Sequence, residues 1–470
     1  MISTRKALKC LGRPNVLRPF AYLPVTRCFS LSRAVCSDNK ASSHSPAKTV
    51  TVTDDAISDL TNKRQHSLSL ADLVKHGRPP LSEKALLASA NFTLKLLPIR
   101  LAHRIQALRN LPFIVVSNPH ISRIYHNYLH SLSTLLPWQH RTVSNLKDED
   151  ESTSVLAELV ATHQDTIPVL AKGFIESRRY IAPQEVTRFL DTHLRTRIGT
   201  RLIAEQHIAL HYSSEPHFDP GASPTPCPEH PSYIGVIDTA LSPAAIVDSC
   251  AGFVADICEF KYGRRPRWII DGEPNTTFVF VPMHLEYIVT ELLKNAFRAT
   301  IENTSDREHQ EPVVITIAPE PPDAGPTRLT LDPPAADKGA FRGDAIKPLD
   351  DNAPGITLRI RDRGGGIAPD VLPNIFNYSF TTFSEDEMDE MISNGSSTTG
   401  SSAGGGGGQK DALGVISAAS SGSSSIAGLG YGLPLSRAYA EYFGGGINVQ
   451  SLYGWGTDVY VRLKGVGNIS

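Results

Sequence analysis

Between Leu285 and Thr300 the apolar residues fall at Leu285, Ile288, Val289, Leu292, Leu293, Ala296 and Phe297. That i, i+3, i+4, i+7 recurrence predicts a helix with one buried face. At roughly 100° per residue, Glu291, Asn295 and Arg298 lie within about 60° of one another, with Lys294 beside them. One stripe thus carries a carboxylate, an amide and two cations. Asn is a poor helix former, and its place in mid-helix points to work for its side-chain oxygen. A solvated face reads the same stripe equally well.

Residues 68–214 show almost no strand signal. Leu86, Leu87, Phe92, Leu94 and Leu97 ahead of Pro98 keep helical spacing, as do Val155, Leu156, Leu159, Val160, Val169, Leu170, Phe174 and Ile175. The pattern predicts a four-helix-type bundle. Residues 215–232 hold six prolines without apolar periodicity and read as an inserted loop. A second domain over 233–470 opens with helical and strand patterns at Ile246 to Lys261 and Trp268 to Asp271. Strands are expected at Val313 to Ile317, Ile356 to Arg361 and Asp458 to Leu463. Residues 319–354 are rich in proline and aspartate, and residues 384–425 contain the runs Gly404 to Gly408 and Ser421 to Ser425. Both read as low-complexity insertions.

Composition narrows the class. With 470 residues and 40% apolar content the chain has room for two cores. A net charge of −2 gives no nucleic-acid footprint. No uninterrupted apolar run approaches the ~18 residues of a membrane span, so an integral membrane protein is not expected. Six cysteines, three of them before residue 40, suit a reducing compartment. Residues 1–37 carry seven basic side chains and no acid, the bias of a mitochondrial transit peptide. Its removal would take the charge from −2 to about −9.

Three motifs add chemistry. The strand ending at Arg361 runs into Asp362-Arg-Gly-Gly-Gly-Ile367, an acid at a strand end followed by a turn without side chains. Gly428-Leu-Gly-Tyr-Gly-Leu-Pro-Leu-Ser-Arg437 is a glycine loop opening a helix, which offers backbone N–H groups to phosphate oxygens. Gly456-Thr-Asp458 opens the last strand. There is no Gly-x4-Gly-Lys-[Ser/Thr] motif, and the glycine loop follows no strand, against a dinucleotide site. His207 and His211 stand one turn apart, a spacing open to a metal. No glutamate follows the first, and a structural role is the stronger expectation.

In the order Glu-x3-Asn, Asp-x-Gly-x-Gly, Gly-x-Gly-x-Gly and Gly-Thr-Asp, the motifs resemble the ATP site of histidine kinases, type II topoisomerases, mismatch-repair ATPases and heat-shock chaperones. Pro98 to Ile121, Phe280 to Ile288 and Ser436 to Phe443 make the resemblance specific: the chain is similar to the mitochondrial 2-oxoacid dehydrogenase kinases, the branched-chain more than the pyruvate type. A chain that stops soon after Leu463, where pyruvate dehydrogenase kinases usually extend a tail, favours the branched-chain reading.

The resemblance implies an N-terminal bundle followed by an ATP-binding α/β sandwich with a mixed sheet, using ATP and Mg²⁺ to phosphorylate and inactivate the decarboxylase component. It implies docking on the lipoyl-bearing acyltransferase core, a homodimer, a bundle pocket for 2-oxoacid-like inhibitors and a place in the mitochondrial matrix. By the same resemblance Glu291 is the base and Asn295 the Mg²⁺ ligand, with Lys294 and Arg298 near the phosphates. Asp362 takes the adenine amine, with Gly364 and Gly366 letting the base approach and Thr457 reaching it from the last strand. Thr381, Thr382, Gly428, Gly430, Tyr431, Gly432 and Leu433 close around the phosphates. A histidine kinase needs a phosphoacceptor His usually followed by an acid, but His103 precedes Arg104 and His207 precedes Ile208. An ATP-driven clamp would be expected to carry a long domain downstream of the ATPase, whereas here the bundle is upstream and no such domain is expected.

Overall fold

Helices fill the chain from Asp54 to Tyr212 in the computed structural model, which describes residues 49–66, 68, 70–139, 141–214, 232–303, 311–320, 355–378 and 430–465. They are α1 (Asp54–Thr61), α2 (Leu70–Val74), α3 (Glu83–Arg109), α4 (Phe113–Val116), α5 (Pro119–Gln139), α6 (Leu146–Thr162), α7 (Thr166–Glu176) and α8 (Pro183–Tyr212). Their starts are written in the sequence. Ser82 caps α3 by accepting the Ala85 N–H at 3.3 Å, and Asn145 caps α6 by accepting that of Asp148 at 2.8 Å.

Pro98 does not end α3, although it removes one backbone donor in mid-helix. Leu94, Leu97, Leu101 and Ile105 around it are buried against α5 and α8, and this tertiary burial overrides the local penalty. By length and composition alone α3 is apolar enough to cross a membrane, although charged and polar residues interrupt its apolar runs. Its buried face also holds Arg100 and Arg104, both bonded within the protein, as in a core helix.

His207 and His211 reach a buried carboxylate. Glu149 of α6 lies 3.3 Å from His207 Nε2 and 2.9 Å from His211 Nδ1, and Ser89 and Thr153 bond the two nitrogens of His207. Burial pushes the His207 imidazole down to about 3, so the ring is neutral and joins α3, α6 and α8 by hydrogen bonds.

The second half is a mixed-sheet α/β layer. A five-stranded sheet runs β3 (Trp268–Gly272), β5 (Val313–Pro319), β6 (Ile356–Arg361), β8 (Gly456–Leu463) and β7 (Gly446–Leu452), with β3 parallel to β5 and the other pairs antiparallel. Alternation sorts its faces. Val313, Ile315, Ile317, Leu358, Ile360 and Val461 are buried, while Thr316, Arg359, Arg361 and Tyr460 occupy the opposite face. The helices α9 (Pro243–Tyr262), α10 (Pro282–Asn303) and α11 (Gly432–Tyr442) cover the apolar face. A small antiparallel sheet of β1 (Tyr233–Ile234), β2 (Ile237–Leu241) and β4 (Phe278–Phe280), which the sequence pattern did not predict, leads in from α8. Cys250 and Cys258 are buried free thiols of α9. Residues 1–37, expected to be a transit peptide, and the low-complexity tract 384–425 lie outside the described residues, as do nearly all of 215–232 and 319–354.

Candidate active site

Helix α10 has the buried face that its periodicity predicts: Leu285, Ile288, Val289, Leu292, Leu293, Ala296 and Phe297 are all inside. Its polar stripe is not uniform. Asn295 is exposed, and its side chain makes no hydrogen bond among the described residues. Glu291 is only 8% exposed, at the seam between α10 and α11. Lys294 donates to Glu291 Oε1 at 2.7 Å, and a Cβ added at Gly432, the first residue of α11, would strike Oε2. Arg298 pairs with Glu302 at 2.7 Å. The buried hydroxyl of half-buried Tyr287, one turn before Glu291, is held well above its ordinary value, first by burial and then by the Glu291 charge.

The acid-glycine turn closes on the other end of α10. Asp362 Oδ1 accepts the Gly364 N–H at 2.8 Å and the Thr457 N–H at 3.3 Å, while the Asp362 N–H donates to the Thr457 carbonyl at 2.9 Å. Both short backbone bonds use one carboxylate oxygen, leaving Oδ2 for an outside donor. Burial holds this carboxyl above the usual aspartate range, against the pull of those N–H groups.

Gly364 admits no side chain, since a Cβ there would lie 2.7 Å from the Ala299 carbonyl carbon of α10. Gly366 has φ +73 and its Cβ would meet the Leu452 carbonyl, so this turn needs glycine on both counts. Gly364→Ala is expected to lower stability by about 1–3 kcal/mol, the cost of overpacking, seen as a lower Tm. An unchanged Tm would mean that α10 can shift away from the turn.

Three contributors carried no sequence signal. Ser451 Oγ accepts the Ile367 N–H at 2.7 Å and bonds the Thr457 hydroxyl at 3.2 Å, tying the glycine turn to the β7–β8 hairpin. Asn303 Nδ2 donates to the Arg363 carbonyl at 3.0 Å, and Ala299 supplies the contact with Gly364. The bonds of Asn303 and Ser451 to the glycine turn span 60 and 84 positions and leave no local pattern.

Gly430 and Tyr431 lead into α11, which Gly432 and Leu433 open. Tyr431 is buried, its ring 5.4 Å from that of Tyr378 on the far side of the insertion. Glu291, Asn295, Asp362, Gly364, Gly366, Thr457 and Gly432 are therefore linked around α10. Thr381, Thr382 and Gly428 lie outside the described residues. Around this geometry a carboxylate and an amide stand one turn apart, beside a helix start and a half-used aspartate.

Residues 280–466 match the family of histidine kinase-, DNA gyrase B- and HSP90-like ATPases, and residues 67–238 match that described as mitochondrial branched-chain alpha-ketoacid dehydrogenase kinase. The chain is 32% identical over 394 residues to mitochondrial [pyruvate dehydrogenase (acetyl-transferring)] kinase 1 of Saccharomyces cerevisiae, covering 83% of this chain and 81% of that protein. It is 29% identical to the mitochondrial [pyruvate dehydrogenase (acetyl-transferring)] kinase of Arabidopsis thaliana, over 86% of this chain and 92% of the relative. With isozyme 4 of the mouse it shares 27% identity, over 86% and 87% of the two chains. Alignment across both halves, with the ATPase motifs in order, places the chain in one family: it belongs to the mitochondrial 2-oxoacid dehydrogenase kinases, protein kinases that use ATP with Mg²⁺ on a histidine-kinase-like ATPase fold.

Proposed function

We propose that this kinase phosphorylates a serine of the decarboxylase component of the pyruvate dehydrogenase complex in the mitochondrial matrix, and so inactivates it. A cavity among α3, α5, α6 and α8 carries the choice of complex. Its volume is about 60 Å³, and Arg104, Arg197, Arg201, Ser131 and His163 line it against an apolar wall. Among the described residues one carboxylate answers these three guanidinium groups, Glu205 at 2.7 Å from Arg201. Burial holds Arg104 and Arg197 below the usual arginine range and pushes His163 down to about 3, so the histidine stays neutral. Buried excess positive charge calls for a small anion.

At about 60 Å³ the cavity has room for more than a single water and is small for a ligand site. Among 2-oxo acids a three-carbon one fits such a space more readily than a larger branched-chain one. The relatives' names point the same way. The branched-chain preference expected from the sequence has the description of the helical family behind it, and the cavity speaks against it. Incubation with each purified complex and ATP tests the reading. Acid-stable phosphoserine on the pyruvate complex is expected; faster labelling of the branched-chain complex, or acid-labile phosphate, would overturn it.

The site residues fit ATP and Mg²⁺. A Cβ would fill the cradle at Gly364 and Gly366, Asp362 keeps Oδ2 for the adenine amine, and Thr457 stands beside it. Asn295 offers the hard amide oxygen that Mg²⁺ takes alongside phosphates and water. Gly430, Tyr431, Gly432 and Leu433, with Thr381, Thr382 and Gly428, are assigned to the phosphates, and Lys294 and Arg298 add positive charge nearby. Bound Mg·ATP supplies the phosphoryl group and its charge neutralisation. Glu291 orients the incoming serine hydroxyl and takes its proton.

Residues 1–37 are assigned as the import signal, residues 68–214 as a four-helix-type regulatory bundle and residues 233–470 as the kinase domain, acting in a homodimer outside the membrane. Deleting residues 1–37 is expected to leave the protein in the cytosol by fractionation, and matrix import of the truncated form would refute the signal. Phe113 is 87% exposed and Ile114 49%, which supports this turn as the docking point for the lipoyl-bearing domain. Phe113→Asp is expected to weaken pull-down of that domain about tenfold or more with Tm unchanged. Undiminished pull-down would move docking elsewhere.

A further inference from the structure

A second, open groove lies in line with the buried cavity between α3 and α8. Its volume is about 690 Å³, and His103, Arg104, Asn110, Arg188, Thr192 and His193 are among its lining residues. Asn110, Arg188 and Thr192 are exposed, so the groove faces solvent. Arg104 and His193 on its inner side are only 4% and 3% exposed.

One side chain belongs to both spaces. Arg104 lines the groove and the cavity. Along α3 the groove takes His103, Arg104 and Ala107 while the cavity takes Leu97, Leu101 and Arg104. Along α8 the groove takes Thr192, His193 and Thr196, and the cavity Arg197, Thr200 and Arg201. The partition is a row of hydrogen bonds: Arg104 donates to Thr200 Oγ1 at 2.8 Å and to the Tyr128 hydroxyl at 3.3 Å, and that hydroxyl bonds His193 Nε2 at 3.0 Å.

This row is not fully bonded. Arg104 Nε and His193 Nδ1 are buried without a hydrogen-bond partner among the described residues. Buried polar atoms are normally satisfied, and two such atoms in one thin wall mark a place where a passing polar ligand gains bonds that the resting protein lacks.

We propose that the groove is the access route by which a small 2-oxo acid reaches the buried cavity, with the Arg104 side chain as its swinging partition. The inference rests on reading the cavity as a 2-oxo acid site. Arg188 attracts the carboxylate at the mouth, Arg104 takes it at the wall, and Arg197 and Arg201 receive it inside. Arg104 is bonded to Thr200 of the cavity wall and, through Tyr128, to His193 of the groove wall, so the anion can replace these bonds as the side chain turns.

A route differs from a site in its kinetic signature. An obstruction outside the cavity slows association and dissociation by one factor, since the free and bound end states are unchanged. In the full chain, Ala107→Phe and Thr192→Phe fill the groove without touching a cavity residue. With ¹³C-labelled pyruvate as probe, NMR line shapes give the exchange rates and titration gives Kd. Both rate constants are expected to fall about tenfold or more at constant Kd.

Thr192→Cys, labelled after folding with a bulky disulfide-forming reagent, guards against misfolding. Its slowed exchange should recover when reductant removes the label, and the labelled parent chain should show no slowing. Unchanged rates in the plugged forms would overturn the route, and a shifted Kd would make the groove part of the site instead. Wild-type protein that binds no pyruvate would sink the reading of the cavity itself.

Discussion

Glu291→Gln is expected to keep nucleotide affinity near that of the parent while phosphate transfer falls by roughly 10²-fold or more. The substitution preserves size and helix propensity and removes only the proton acceptor. Geometry sharpens the expectation, because Glu291 is nearly buried and pairs with Lys294 at 2.7 Å, where a glutamine oxygen still accepts that bond. Asn295→Ala fails differently. Asn295 is exposed and carries no side-chain hydrogen bond among the described residues, so its loss removes the Mg²⁺ ligand without disturbing the fold, and affinity and transfer both fall. Calorimetric nucleotide binding beside transfer to a serine of the decarboxylase component separates the two. Near-parental transfer by Glu291→Gln would send the search for the base elsewhere.

The sequence disclosed what repeats locally. The 3.6-residue period of α10, the alternation of β6 and the glycines after Asp362 each lie within a few residues, and each became the expected element. What it concealed depends on distant partners. Whether Glu291 sits on a solvated stripe or at a seam is decided by Gly432, far along the chain. The cavity draws Arg104 from α3, Ser131 from α5 and Arg197 and Arg201 from α8, and no spacing announces their meeting. The β1–β2–β4 sheet escaped because two- and three-residue strands leave too short an alternation. The spacing of His207 and His211 was visible, but the Glu149 that bonds them comes from another helix. The roles of Thr381, Thr382 and Gly428, which lie outside the described residues, rest on the family resemblance alone.

The helical region and its junction with the ATPase layer should be acid-sensitive well above the range in which carboxylates titrate. Burial pushes His163, His207 and His284 each down to about 3, and His193 well below its ordinary value. In the unfolded chain these imidazoles titrate near the model value of 6.5. Below that pH the unfolded state takes up protons that the folded state refuses. Their contribution to stability is therefore full above 6.5 and falls with pH toward 3. Each fully refused proton costs about 1.4 kcal/mol per pH unit, so four erode several kcal/mol per unit against a total of about 5–15. Asp191, Glu286 and Asp362, raised chiefly by burial, act in the opposite sense, but nearer the carboxylate range. His76, held down to about 4 chiefly by burial, adds a fifth, so Tm between about pH 6.5 and 5 should drop steeply, with proton uptake on unfolding approaching five by calorimetry in buffers of different ionisation heat. His284→Phe tests one share of this. Its ring packs at a tilt against Tyr439 and Phe443, centroids 4.7 and 5.4 Å away, and its Nδ1 has no partner among the described residues, so phenylalanine keeps the contact and should reduce the uptake by about one proton. An unchanged slope would mean that His284 is protonated in the fold and that a counter-charge reaches it.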